Sequence, residues 1–545
     1  MLVMNDKSLV LENKLCGKYY TPRELADYIV GLFNYDDIDY ILEPSCGDGV
    51  FIDSFKENSV LDKVKELDAV EIDSIESDKL IRRYIDKSNV SIINRDFFDF
   101  YNDYLDYKKY DLVVGNPPYI RYQYLSERQK KYQSSILVSN GMKPNKLINA
   151  WVAFMVASIQ MLSYKGKIAF VIPSDILQVS YAKELRNYLL NNLSKITIIT
   201  FEHLIFDGIE QDVLVFIGEK GDGESRIRFI EMSDIDGFKD FDYYCDNFIV
   251  TDNIDRKWKE YFFLSNDSIK LIDNIRGDRR FVKMSYYCIV NVGIVTGNNN
   301  YFTIDGTVVD KYNLYGATIP LISKGSSGKG VYYTVDDWLL DVERGKKSYL
   351  VLFPDIPYNN YCKEYKDYIK FGKDNGEDRR YKCNIRDRWY LVPSVWVPDA
   401  FFTSMINDYS RFILNKCNAV STNNIHRIKA KKDVEIENIV LSYYNSISFA
   451  FTEICGRNYG GGMIEITPRE VDNIMVPKID SIDKSFRDEL LLRIDNMIKG
   501  NYNIERVLDL VDNEILIGIL GIDHYICYGF RDIWKYMNKR RLRIK

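Results

Sequence analysis

Residues 111–119, Asp-Leu-Val-Val-Gly-Asn-Pro-Pro-Tyr, constrain this chain more than any other stretch. Asp111 to Val114 reads as a short apolar strand, and Gly115 ends it. Pro117 and Pro118 then fix φ at consecutive positions, so the turn is stiff. Such a turn holds the Asn116 amide, the Pro117 carbonyl and the Tyr119 ring at the C-terminal end of a strand. Open α/β sheets bind their ligands at that end. Two acceptors and an aromatic face suit a planar ring with an exocyclic amino group. The tetrapeptide alone also allows a proline-stiffened loop with a packed tyrosine. The residues upstream decide between the two.

Upstream, Tyr20-Thr-Pro-Arg-Glu predicts a helix start, with Thr21 as N-cap, Pro22 at the first helical position and Glu24 completing a capping box. Its free N–H groups and positive dipole end suit an anion, although a plain helix start has the same pattern. Ile38 to Ile52 reads as strand, loop and helix, with Gly47 and Gly49 in the loop after Glu43. The loop has neither the dinucleotide GxGxxG nor the phosphate-cradling GxxxxGK[ST] pattern, which argues against NAD and ATP. A Glu-Pro lead and a Gly-x-Gly turn fit a smaller, zwitterionic nucleoside.

A second strand over Leu67–Asp73 ends in Glu71 and Asp73. An acid about 20 residues past the glycine loop can accept from both ribose hydroxyls. A third strand over Val90–Asn94 leads to Asp96 and Phe97, an acceptor for an adenine amino group and a ring to lie on the purine. Each acid alone is an ordinary exposed strand end. Four such sites at successive strand ends, over about 80 residues, form a pattern.

The order Tyr-Thr-Pro, Glu-Pro-Ser-Cys-Gly-Asp-Gly, Val-Glu-Ile-Asp, Asp-Phe-Phe, Asn-Pro-Pro-Tyr resembles that of the gamma-arranged N6-adenine DNA methyltransferases of restriction–modification systems. The resemblance implies an α/β fold: a seven-stranded, Rossmann-like S-adenosylmethionine-dependent methyltransferase domain over residues 1–245, followed by an α+β DNA target-recognition domain with C-terminal helices over 246–545. It implies that Tyr20 and Thr21 lie near the methionine part of S-adenosyl-L-methionine. Glu43, Cys46, Gly47 and Gly49 would line its pocket, Glu71 would hold the ribose, and Asp96 and Phe97 the adenine. Asn116, beside the cofactor, and Pro117 would accept from the target amino group, with Pro118 stiffening the turn. Tyr119 would stack on a flipped adenine, and Phe206, in the loop Leu204–Asp212, would clamp its second face. Ser45-Cys46 departs from the family's usual small residues. Lys146 to Val156 reads as the amphipathic helix on the cofactor side, with Asn149-Ala-Trp in place of the usual acid-Leu-Tyr or Asn-Leu-Tyr.

Composition bears on the second half. The net charge of −6 over 545 residues hides segregation. Asn34–Asp111 carries twenty Asp/Glu against ten Lys/Arg, whereas Arg379–Lys432 carries eleven Lys/Arg against three Asp. Nucleic-acid binding needs a local basic surface, not a basic protein. Gly221–Asn253 reads as a linker or irregular strand region, and Val290–Phe302 resembles the opening motif of such recognition domains. Arg379-Arg-Tyr-Lys-Cys-Asn-Ile-Arg-Asp-Arg-Trp-Tyr interleaves cations with aromatics, so Arg379, Arg380, Lys382, Arg386, Arg388, Trp389 and Tyr390 are candidate DNA contacts. Asn424 and Arg457, in polar or Gly-rich stretches, join them, and Phe486–Ile522 has helical periodicity. The basic tail Lys535–Lys545 reads as solvated, with phosphate contact as the alternative.

Nine scattered cysteines without a CxxC pair, and three histidines, predict free thiols, no metal site and a cytoplasmic protein. There is no signal-peptide layout and no apolar run of membrane-spanning length. The resemblance implies a monomer acting on double-stranded DNA, with a restriction endonuclease of the same specificity as a partner that it need not touch. Three alternatives stay open. Asn-Pro-Pro-Tyr also serves methylation of protein glutamine amides or of ribosomal RNA bases. Asp355, Glu364 and Lys366 resemble a nuclease signature that would make the protein a bifunctional nuclease–methyltransferase.

Overall fold

Nine strands of the N-terminal part form one sheet: β1 (Tyr40–Glu43), β2 (Glu66–Glu71), β3 (Val90–Asn94), β4 (Tyr110–Gly115), β5 (Leu162–Pro173), β6 (Lys195–Phe201), β7 (Val213–Glu219), β8 (Arg226–Met232) and β9 (Ile249–Val250). Their order is β3-β2-β1-β4-β5-β7-β6-β8-β9. The computed structural model describes residues 20–143, 149–179, 182–202, 212–250, 257–325, 327–459 and 462–542. By contacts, the chain divides into two units, 1–263 and 264–545.

The first seven strands make the mixed sheet that the resemblance implies, in the order 3-2-1-4-5-7-6. Strands β3, β2, β1, β4 and β5 are parallel, and β7 runs antiparallel between β5 and β6. Strand β8 extends the sheet in parallel with β6, and β9 pairs antiparallel with β8. Of the two readings of Gly221–Asn253, linker or strand region, part of the segment is therefore strand. The reason is visible in β8 itself, Arg226-Ile-Arg-Phe-Ile-Glu-Met, whose apolar residues give it a face to bury.

Helices α1 (Arg23–Gly31), α2 (Val50–Glu57), α3 (Ser74–Arg83), α4 (Phe97–Tyr104), α5 (Glu127–Ser139), α6 (Ala150–Gln160) and α7 (Ala182–Asn192) accompany these strands. Side chains alternate across a strand. Ile168, Phe170 and Ile172 of β5 therefore join one core with Trp151 and Phe97, while Ala169 and Val171 join another with Leu25, Ile29 and Phe55. Both faces of the sheet are covered, as parallel strands require. Helix α6 is buried from Ala150 to Ile159 and is not amphipathic. Chain order reverses between β1 and β4, which opens a crevice at the strands' C-terminal ends.

The second unit is built from small sheets and helices. Its largest sheet orders Cys288–Asn291, Ile425–Ala430, Ala400–Thr403, Phe412–Asn415 and Tyr332–Tyr333. Helices Lys484–Lys499 and Ile504–Val511 overlap the periodic stretch, and the last helix runs from His524 to Leu542. The described part of the basic tail, residues 535–542, is helix, and its Arg541 is not solvated. Arg541 is buried and donates to Glu453 at 2.8 Å and to the Asn407 carbonyl at 2.7 Å. Apolar Trp534 and Met537 on the same helix draw it inward. Among the described residues no helix is long and apolar enough to cross a membrane.

Candidate active site

The crevice holds a cleft of about 1040 Å³, counting its solvent-open mouth. Tyr20, Thr21, Glu43, Cys46, Gly47, Glu71, Asp96, Phe97, Asn116 and Pro118 all line it. Gly49, Pro117 and Tyr119 do not.

The loop after β1 is shaped by its glycines. Gly47 has φ +54°, and a Cβ built on it would lie 3.5 Å from the Tyr20 ring. Gly49 has φ +84°, and a Cβ there would collide with Leu80 at 2.4 Å. Glycine permits both conformations and the close approach of α3. Glu71, at the end of β2, accepts from the backbone N–H of Gly47 and of Asp73, each at 2.8 Å. The acid after β2 thus ties the glycine loop to the start of α3. Asp96 caps α4, accepting from Phe98 N at 2.8 Å. Phe97 is buried and stacks on Phe154, centroids 4.9 Å apart. Ser45 Oγ donates to the Asn116 carbonyl at 3.4 Å, linking the glycine loop to the turn after β4.

Glu43 is the least expected group. It is buried, and its Oε2 has no hydrogen-bond partner among the described residues. Burial, then the nearby Asp48, Glu71 and Asp53 charges, push its carboxyl well above the usual range. Such an acid favours a cation beside it.

The helix start differs from expectation. Pro22 keeps an extended ψ of 137°, so it is the N-cap, α1 begins at Arg23, and no side chain caps it. Thr21 is buried in the cleft wall instead. Phe206 lies outside the described residues. Sequence reasoning missed Phe154 and Gln129, both in the cleft wall. Only Gln129 left a local trace, the Ser-x-x-Gln pattern of a capping box.

In the second unit, three of the four stretches singled out from sequence come together. Asn298 Nδ2 donates to Glu377 at 2.8 Å, and Asn299 Nδ2 to Asn423 Oδ1 at 3.2 Å. Arg379, Arg380, Lys382 and Asn424 are exposed, Arg380 while it pairs with Glu377 at 2.6 Å. Other candidates are committed elsewhere. Arg386 donates to the carbonyls of Thr296, at 2.8 Å, and of Val295 and Trp389. Arg388 pairs with Asp355, and Arg457 with Glu470 at 2.6 Å. Trp389 packs on Tyr301, and Tyr390 is buried in the same aromatic core. The interleaving of cations and aromatics has a packing cause here: the two aromatics turn inward. Asp355 is held by Arg388, and Lys366 donates to the Asn359 carbonyl, so the nuclease-like residues have structural partners. Among the described residues no cluster of His, Cys, Asp or Glu could hold a metal.

Two family models cover most of the chain. One, described as Eco57I restriction-modification methylase, matches residues 10–206. The other, type II methyltransferase M.Eco57I, C-terminal domain, matches residues 255–516. The chain belongs to the Eco57I family of restriction–modification methylases. The methylase is 27% identical over 536 residues to type II methyltransferase M.AccI of Acinetobacter calcoaceticus, covering 93% of this chain and 94% of that one. It is 27% identical over 372 residues to M.HindII of Haemophilus influenzae, covering 65% and 67%. In fold it is similar to the type IIL restriction-modification enzyme MmeI, solved in complex with DNA, with a TM-score of 0.53 at 12% identity, covering 98% of this chain and 73% of that one. The methylase is thus an enzyme of the methyltransferase class, with the S-adenosylmethionine-dependent methyltransferase fold in its first unit.

Proposed function

We propose that this methylase transfers a methyl group from S-adenosylmethionine to the N6 amino group of an adenine flipped out of double-stranded DNA. One observation carries the reading: Asn116 and Pro118 line the same cleft as Glu43, Glu71, Asp96 and Phe97. An acceptor turn suited to a planar amino group and an acid-lined pocket suited to a cationic nucleoside share one cavity.

The residues fit the donor. Glu43 offers a buried, unsatisfied carboxylate oxygen to a positive charge. Gly47 lets the backbone pass close in the cleft wall, and Asp96 and Phe97 bring an acceptor and a ring to the same cavity. When bound, the donor supplies an electrophilic methyl group on a sulfonium. The chain does the rest by positioning and electrostatics. The Asn116 amide oxygen and the Pro117 carbonyl accept the two N–H bonds of the target amine. That draws its lone pair out of the ring. Tyr119 offers a face to the base and tolerates the positive charge that develops on it. A base inside a duplex is out of reach of such a turn, so it must be extruded, at a few kcal/mol of unstacking.

Exposed Arg379, Arg380, Lys382 and Asn424 support DNA as the polymer bound. The test is label transfer from S-adenosylmethionine offered duplex DNA, ribosomal RNA and a glutamine-bearing release factor in parallel. Label in DNA, lost when adenine is replaced by 2-aminopurine at the modified site, is the expected result. Label in RNA or protein alone would overturn the reading. Sequencing modified DNA from expressing cells would give the site.

A further inference from the structure

Part of the cleft wall comes from beyond the strand ends. Ile120, Leu125 and Gln129, from the segment that follows the Asn116–Tyr119 turn, line it together with Asp96. Gln129 is the third residue of α5 and closes a reciprocal capping box with Ser126. Its Oε1 accepts from Ser126 N at 3.2 Å and from Ser126 Oγ at 3.1 Å, while its own N–H donates to Ser126 Oγ at 3.2 Å. The box orients the amide. Its Nε2 faces away from the cap and donates to Asp96 Oδ2 at 2.9 Å.

We infer that Gln129 is a positioning residue for the nucleobase end of the donor, acting through Asp96. The inference rests on the reading that this cleft takes S-adenosylmethionine. Two donors, Phe98 N and Gln129 Nε2, hold one oxygen each of Asp96. They fix its rotamer, so that its remaining lone pairs can accept from an exocyclic amine. Capping alone does not require glutamine, because glutamate closes the same box. Glutamate would turn a carboxylate toward Asp96. Only the amide both caps the helix and donates across the gap. The charged groups around this contact are Asp96 itself, Arg95 just before it, Glu76 on α3, Glu71 in the cleft wall, and Asp99 paired with Arg128 at 2.7 Å. Glu127 and Lys130 pair with each other on α5.

The test measures binding of S-adenosylhomocysteine by calorimetry, with no DNA and no turnover. Gln129→Glu keeps the capping box and is expected to melt as the wild type does. At pH 8 it should bind about tenfold more weakly or worse, one pK unit's worth of like-charge repulsion. Its deficit relative to wild type should shrink as pH falls toward 5.5, because a protonated carboxyl can donate where the amide did. Gln129→Met, without a donor, should bind several-fold more weakly by a factor that stays constant with pH. Wild-type affinity in Gln129→Glu at pH 8, or equal and pH-independent deficits in both variants, would overturn the inference. Failure of the wild type itself to bind would instead overturn the cofactor reading.

Discussion

Tyr119 donates its hydroxyl hydrogen to the Val171 carbonyl at 3.1 Å, pinning the ring of the turn after β4 to the neighbouring strand β5. The ring is half-buried and touches the cores on both faces of the sheet. An aromatic held this way is a fixed platform.

The platform can be separated from its anchor. Tyr119→Phe keeps the face and loses one hydrogen bond, about 1 kcal/mol of stability, with methyl transfer within a few-fold of wild type. Tyr119→Ala loses the face, and base stacking is worth about 1–3 kcal/mol per base. Its kcat/KM should fall roughly ten- to hundredfold, with S-adenosylhomocysteine affinity unchanged. Steady-state kinetics and calorimetry on the pair decide this.

Asn116→Ala should bind the cofactor and transfer methyl about 10²–10³-fold more slowly, the usual cost of removing one preorganised polar contact at a reacting centre. Single-turnover rates measure it. Full turnover would remove Asn116 from the reacting centre.

Glu43 links pH to binding. Its folded-state pKa is raised by burial, then by Asp48, Glu71 and Asp53. Its contribution to folding is fully present below the unfolded pKa, about 4.3, and is lost as pH rises through the folded value. A bound cation favours the ionised form, so cofactor binding should release a proton in that window, and affinity should rise with pH through it. Calorimetry in buffers of different ionisation enthalpy reads the proton. Glu43→Gln should abolish the release, weaken binding, and stabilise the unliganded protein at neutral pH.

Replacing Arg379, Arg380 and Lys382 together by Ala should weaken DNA binding without regard to sequence. It should also flatten the salt dependence, by up to about 0.9 in log–log slope per lost phosphate contact. Binding isotherms at several salt concentrations test this. An unchanged slope would move the DNA-binding surface elsewhere.

Arg541→Leu removes the cation from one side of the buried Arg541–Glu453 ion pair, 2.8 Å long. Breaking a buried pair on one side costs about 3–5 kcal/mol. The variant should melt several degrees lower, with its first unit's cofactor affinity intact. A melting temperature equal to wild type would show that the end of the last helix is dispensable.

Much of the first unit was legible because its signals are local. A strand announces itself by a short apolar run, and its end by the glycine, proline or acid that follows. Glu43, Glu71, Asp96 and Asn116 stand at such ends, and parallel pairing puts such ends on one side of a sheet. The resemblance drew on the same residues. The helix after Thr21-Pro22 starts one position later than its residue types predict, since either residue can precede a first turn and only the backbone dihedral distinguishes them.

The second unit was less legible, because its sheets join strands distant in sequence. Arg379 and Tyr390 stand eleven positions apart, yet one faces solvent and the other a core built from Tyr301, Phe353 and Tyr361. No local pattern sorts them. The same holds for Arg541, a tail residue by composition and a buried ion-pair partner in the fold.

By itself the sequence determined the order of strands, loops and acids along the first unit, because each is written in a few consecutive residues. Tertiary structure alone decided that Gln129 reaches Asp96, that Tyr119 is anchored on Val171, that Glu43 keeps an unsatisfied oxygen in the dark of the cleft, and that Trp389 and Tyr390 pack inward. Those outcomes depend on which surfaces meet after the chain has folded back, and burial and hydrogen-bond partners are properties of that meeting.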